Sequence, residues 1–326
     1  MTTPIGICST AHLHSHAYAT ILDSLETAEF VGVVDEDPER GESFATEHDV
    51  PLLDEAELFE EAAGVAVCSS NADHLRWVRA AAAAGVDVLS EKPLSPTVSD
   101  AAEAVEVAEA ADIALGVAMP LRFSRPVRRA KDALESGDLG SLRSITGTNR
   151  GQMPGSWFVD PAESGGGATM DHTVHIVDVV HWLTGQRVAE VYAETDTRFH
   201  DIGVEDVNVL SMCLDDGTTF SLDGSWSKPN EWDTWGDATV ELVATDGVVS
   251  VDCFAQTFKH TTEAGIQSVY WGDDANEGLI EDFVEAVETG RDPETTGRDG
   301  VDAVAVVEAA YESAERGEPV PVEYTL

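Results

Sequence analysis

Through the first 120 residues short apolar runs alternate with helix-forming segments, and few folds accept that rhythm. "PIGIC", "FVGVVD", "GVAVCSS", "VDVL" and "IALGVAM" read as buried strands. Helices are expected over residues 15–26 and 38–48, through "HLRWVRAAAAAG" with Asn71 as its cap, and from about Thr97 with Asp100 completing a capping box. Repeated strand-helix-strand units with short connections imply a parallel sheet covered on both faces. Such sheets bind ligands at the carboxyl ends of their strands.

After Pro120 the texture changes. A basic amphipathic helix (125–135), a strand near "LRSITGTNRG" and a helix over 169–183 lead into a strand-rich stretch from 188 to 271, punctuated by Asp-Gly turns at 216–217, 223–224 and 246–247. That stretch reads as an antiparallel sheet, and two helices near 278–289 and 299–316 follow it. The fold class is therefore α/β: a doubly wound parallel sheet over 1–120, then a second α/β domain over 121–326 with a large open, mainly antiparallel sheet. The closing helices are free to pack back on the first domain.

Acidic residues outnumber basic ones 62 to 18, and the net charge of −44 is spread along the chain, which excludes nucleic acid and anionic membrane as natural partners. With 43% apolar residues in periodic order, the chain is not disordered. A dispersed acidic surface with lysine only at 92, 131, 228 and 259 fits a protein of concentrated salt, where repulsion is screened. Cys8, Cys68, Cys213 and Cys253 lie far apart and read as buried thiols. No leader or apolar run of membrane-spanning length is visible, so a cytoplasmic location is expected.

Four stretches carry chemistry. "CSTAHLHSH" joins the first strand to the first helix without a glycine; it is either an altered phosphate loop or a metal site built on His12, His14 and His16. Asp35 ends the second strand 26 positions past Ser9, near the ~20 at which a carboxylate meets ribose hydroxyls. Lys92 in "SEKPLSP" sits at a sheet's binding edge, before a proline that restricts its backbone. In "GGGATMDHTVHIVD" a helix places Asp171, His175 and Asp178 on one face, and an Asp-His pair suits an enzyme that removes an alcohol proton as hydride leaves. His172 and His175 are also spaced to share a metal.

Taken together, "CSSNADH", "EKPLS", "RFSRPVRR", "SGDLGSL", "GGGATMDHTVHIVD" and "AAYESAERGEPV" resemble the Gfo/Idh/MocA family, the glucose-fructose oxidoreductase and inositol dehydrogenase group. The resemblance runs nearly end to end. It implies an amino-terminal Rossmann domain that binds NAD or NADP, and a carboxy-terminal domain that binds a sugar or polyol and forms homodimers or homotetramers. By motif, Lys92, Asp171 and His175 match the family's catalytic residues. The cofactor would be met by Ser9, Thr10, Ala11, His12, His14, Asp35, Ser69, Asn71, His74, Glu91 and Lys92, and the substrate by Arg122, Asn149, Trp157 and His172.

Two departures stand out: Ser9, Ala11 and His14 replace the three glycines of the phosphate loop, and Thr173 replaces the glycine of D-x-G-x-H. Serine and alanine keep part of the close approach to phosphate, whereas His14 falls where helix and strand usually pack without a side chain. The loop is read as a modified dinucleotide loop with Ser9, Thr10 and His12 or His14 as donors. Asp35 favours NAD over NADP. The expected activity is an NAD(P)-dependent dehydrogenase of a sugar, sugar acid or polyol. A non-catalytic sensor of the same fold and a metal-dependent hydrolase are the alternatives.

Overall fold

Strand β1 (Thr3–Cys8) is buried at almost every position and pairs in parallel with β2 (Ala28–Val34) and β3 (Gly64–Val67). With β4 (Asp87–Ser90) and β5 (Leu115–Val117) they form a five-stranded parallel sheet in the order β2-β1-β3-β4-β5. The computed structural model describes residues 2–232, 234–272 and 274–326. Helices α1 (His14–Ser24), α2 (Pro38–His48), α3 (Glu55–Glu61), α4 (His74–Ala84) and α5 (Val98–Ala111) connect the strands, as the apolar alternation requires. Thr97 caps α5 by accepting the amide of Asp100 at 3.1 Å.

Asn71 does not cap α4. It opens a 3-10 turn over Asn71–Asp73 and is buried, so its side chain points inward and α4 starts only at His74. Helix α3 is an addition to the expected elements. At seven residues it is too short for a clear period, but Asp54 and Glu57 form a reciprocal capping box around its first turn.

The second sheet has nine strands, and β6 (Leu142–Thr148), β7 (Val188–Asp196), β8 (Val207–Leu214), β9 (Thr219–Asp223), β10 (Thr239–Ala244) and β11 (Gly247–Asp252) fall where the sequence places strands. Strands β12 (Thr257–Thr262), β13 (Gly265–Tyr270) and β14 (Val320–Pro321) extend it to the order β13-β12-β11-β10-β6-β9-β8-β7-β14. The sheet is antiparallel except where β6 runs parallel to β9. The Asp-Gly pairs at 216–217 and 246–247 turn hairpins, but Asp223-Gly224 does not: β9 ends there and the chain runs on to Trp226. One face of the sheet is buried under α6 (Arg125–Glu135), under α8 (Ala168–Thr184), which follows the single-turn α7 (Pro161–Ser164), and under the later part of α10 (Gly297–Arg316), with Val127, Ile176, Val180, Leu210, Phe220, Leu242 and Ala310 in one core. Alternation in β8 buries Leu210 and Met212 and exposes Val209 and Ser211, as a one-sided sheet demands.

Two compact units emerge: Met1–Met119 with Asn276–Val301 and Leu326, and Pro120–Ala275 with Asp302–Thr325. The segment containing α9 (Ala275–Thr289) therefore belongs mostly with the parallel sheet, where Phe283 and Val287 lie over Gly64.

Candidate active site

The loop between β1 and α1 keeps the shape of a glycine turn by other means. Ser9 itself adopts the left-handed conformation, at φ 64°, and is fully buried. Its amide donates to Val34 O at 2.7 Å, its hydroxyl donates to Glu36 Oε1 at 2.8 Å, and Ala11 N donates back to that hydroxyl at 3.3 Å. Thr10 is fixed to Asp35, while His12 N donates to Cys68 O at 2.8 Å. Helix α1 carries no acid in its first turn, so although His12 Nδ1 accepts the His14 amide, its amino end keeps a partial positive charge that suits phosphate. This residue set fits a dinucleotide.

His14 is accommodated because it is the first residue of α1 and turns toward β4: its Nδ1 meets Glu91 Oε1 at 2.9 Å, and Tyr18, one turn later, donates its hydroxyl to the same oxygen at 2.6 Å. Lys92 N donates to Glu91 Oε2 at 3.1 Å, and His12 Nε2 lies 3.7 Å from that atom. Burial alone would raise the pKa of Glu91, yet the facing His12 and His14, with Lys92, hold it well below the ordinary carboxylate range. His74 is fully buried with Nδ1 2.8 Å from Pro93 O, and its burial lowers its pKa so that it stays neutral. Ser69 Oγ donates to Ser70 O at 3.0 Å, Asn71 is buried in the turn beneath, and Lys92 is only 4% exposed. The segment around Lys92 is thus held from α1 and α4 at once.

Ligand atoms of His12, His14 and Glu91, and those of His16, Glu47 and His48, approach one another within 4.8 Å. In the first group, however, His14 N donates to His12 Nδ1 at 3.2 Å. That amide occupies the Nδ1 lone pair, so a cation could reach the His12 ring only at Nε2.

In the second unit α8 organises the site. Its amino end is closed by Glu205, whose carboxylate accepts the amides of Gly167 and Thr169 at 3.0 Å and the Tyr311 hydroxyl at 2.9 Å. The glycine run serves this approach: a Cβ on Gly167 would collide with Glu205 O, and one on Gly166 with the Tyr311 hydroxyl. Burial, then the facing Glu205, raise the Tyr311 pKa well above its usual value, so the phenol stays a donor.

Asp171 Oδ2 accepts Trp226 Nε1 at 3.1 Å and lies 3.2 Å from His172 Nε2. Nδ1 of His172 is 3.0 Å from Gly224 O, so both ring nitrogens face oxygen atoms and the ring is held from two sides. His172 is 4% exposed and is engaged in holding Asp171. Asn149 Nδ2 donates to His172 O at 3.0 Å. Arg122 pairs bidentately with Asp178, both buried, with Nε to Oδ2 at 2.8 Å. Trp157 is half-buried and stacks on Phe158 at 3.8 Å between centroids. His175, one turn past Asp171, is half-buried with its Nδ1 inward. Exposed Trp235 borders the same place, since its Nε1 and the His172 ring both flank Gly151.

Residues 5–119 match the model of an oxidoreductase family with an NAD-binding Rossmann fold, and residues 127–250 match the GFO/IDH/MocA C-terminal domain. The chain belongs to the Gfo/Idh/MocA family. It is 27% identical over 274 residues to a myo-inositol 2-dehydrogenase of Thermotoga maritima, covering 80% of each chain. A D-xylose 1-dehydrogenase (NADP(+)) of Haloferax volcanii is 28% identical, with 78% of each covered. In fold it is similar to an oxidoreductase of Agrobacterium radiobacter solved with NAD+, L-tartaric acid and magnesium, at TM-score 0.86, 22% identity and 99% coverage of both. This Gfo/Idh/MocA chain is an oxidoreductase with an NAD-binding Rossmann domain, and its relatives include dehydrogenases of sugars and polyols. Membership in an oxidoreductase family displaces the hydrolase alternative.

Three functional neighbours escape sequence reasoning. Tyr18 carried a signal, standing four residues past His14 on one helix face. Trp226 and Glu205 carried none, because they reach α8 from 55 and 38 positions away.

Proposed function

We propose that the protein oxidises a secondary or anomeric hydroxyl of a sugar, sugar acid or polyol, or reduces the matching carbonyl, with NAD as its preferred nucleotide and NADP second. The observation that carries this is the start of α8: Asp171, fixed by the Trp226 indole and the His172 ring, one helical turn before His175. A fixed carboxylate orients a substrate hydroxyl, and His175 takes the reacting hydroxyl's proton at Nε2, the nitrogen opposite its inward Nδ1. Lys92 binds and polarises the substrate oxygen. Ser9, Thr10 and the amino end of α1 hold the dinucleotide, which when bound supplies the hydride acceptor.

The preference for NAD rests on the acidic end of β2, where Glu36, partly exposed just past buried Asp35, opposes a 2'-phosphate. Sugar and polyol substrates are supported by the relatives' activities and by Trp235, an exposed aromatic side chain that flanks Gly151 together with His172. Assembly as a homodimer or homotetramer through the open face of the nine-stranded sheet belongs to the same reading.

The test is a fluorescence titration with NADH and NADPH in high salt, followed by turnover on a panel of sugars and polyols. The expected result is NADH binding and turnover that His175→Ala abolishes without loss of nucleotide affinity. Unchanged turnover in that variant removes the proton-transfer role. Binding without turnover across the whole panel favours the sensor.

A further inference from the structure

The acid that ends β2 is the group expected to read the cofactor's ribose, but here it is already spent. Asp35 Oδ2 accepts Thr10 N at 2.8 Å, Thr10 Oγ1 at 2.5 Å and Arg40 Nε at 3.0 Å. Its Oδ1 accepts Asp37 N at 2.8 Å and Arg40 Nη2 at 2.7 Å. A carboxylate has about four lone-pair sites, so these five donors saturate it, and its side chain is 0% exposed. The next residue differs. Glu36 is 41% exposed, and its Oε1 takes Ser9 Oγ and Arg40 Nη2. Among the described residues Glu36 Oε2 and Arg40 Nη1 make no hydrogen bond, and Arg40 is 34% exposed.

We propose that Asp35 is a positioning residue that clamps the glycine-free loop, and that Glu36 and Arg40 read the adenosine ribose of the cofactor. This rests on the nucleotide-binding reading above. A glycine loop needs no clamp because nothing opposes its turn. This loop places Ser9 in a left-handed conformation and Thr10 beside it, and Asp35 holds Thr10 through both its amide and its hydroxyl. Glu36 Oε2 is an open acceptor suited to a ribose hydroxyl and opposed to a 2'-phosphate. Arg40 Nη1 is an open donor that serves either. Discrimination between the two nucleotides is therefore set by Glu36 against Arg40, while Asp35 affects both nucleotides equally.

The experiment titrates the full chain, in high salt, with NADH and NADPH, and records the melting midpoint without nucleotide. Asp35→Asn is expected to weaken both nucleotides by about tenfold, leave their ratio within about twofold, and lower the midpoint. Thr10→Val should behave likewise and Thr10→Ser should restore the wild-type melting midpoint, which tests the clamp if Asp35→Asn folds poorly. Glu36→Gln should shift the ratio toward NADPH by about fivefold or more with little change in the midpoint. If Asp35→Asn favours NADPH while Glu36→Gln leaves the ratio alone, Asp35 reads the ribose and the proposal is overturned. Should the wild type bind neither nucleotide, the dehydrogenase reading fails separately; the clamp then stands if Thr10→Val and Asp35→Asn lower the midpoint and falls if they do not.

Discussion

Tyr18 Oη lies 2.6 Å from Glu91 Oε1, the oxygen that His14 Nδ1 meets at 2.9 Å from one helical turn earlier. Two side chains of α1 thus converge on one buried carboxylate beside Lys92, and they do so from a helix whose first residue replaces a glycine. Tyr18→Phe removes a charge-assisted donor from a buried anion, which costs about 2 kcal/mol. Denaturant unfolding should report that loss, and kcat/KM should fall as the Lys92 segment loosens. Wild-type values for both would show that the remaining contacts of Glu91 suffice without the phenol.

Trp226 is the contact that fixes Asp171 from outside α8. Trp226→Phe keeps the buried ring but deletes the indole N–H. Steady-state kinetics should show kcat/KM lower by about tenfold, equivalent to ~1.4 kcal/mol, with NADH affinity unchanged. A variant with normal kcat/KM would show that the indole contact does not set the orientation of the carboxylate.

Acid should weaken the second unit at a defined place. Burial alone would raise the pKa of Asp237, but the hydrogen bonds from Arg150, Thr148 and Lys228 lower it to about 2. Its folded value lies below its unfolded one, so the stabilisation is complete above about pH 4 and is lost as pH falls toward 2. With Arg150 partly exposed, about 1 kcal/mol is expected after screening. Asp237→Asn should flatten stability against pH in that window; an unaltered slope there would assign it to other carboxylates.

A chain with net charge −44 repels itself in dilute buffer. The melting midpoint should climb steadily between about 0.1 M and 1 M KCl, over which the Debye length shrinks from ~10 Å to ~3 Å. A flat profile would dissociate the acidic composition from any demand for salt.

The sequence made the parallel sheet readable because each strand is an uninterrupted apolar run and each helix has its own period. Strands β12 and β13 are not legible as separate elements: "TFKHTT" and "GIQSVY" form an edge hairpin in which only Phe258 is buried, so burial imposes no alternation on them. At the site, Asp171 and His175 were legible as an i, i+4 pair on one helix. The neighbours that fix them were not, since Trp226 and Glu205 arrive through tertiary folding that no local spacing records. Arg122 likewise reads as a candidate substrate contact until its bidentate pair with buried Asp178 is seen.

The clamp of Glu205 on Gly167, Thr169 and Tyr311 also fixes a rotational setting. Each residue advances an α-helix by about 100° around its axis, so a slip of one position at the start of α8 would turn Asp171 and His175 away from where they now face. By tying the first amides of that helix to a carboxylate from the β7–β8 connection and a phenol from α10, the fold indexes the helix from outside. Residues far from the chemistry thereby decide which side of α8 does it.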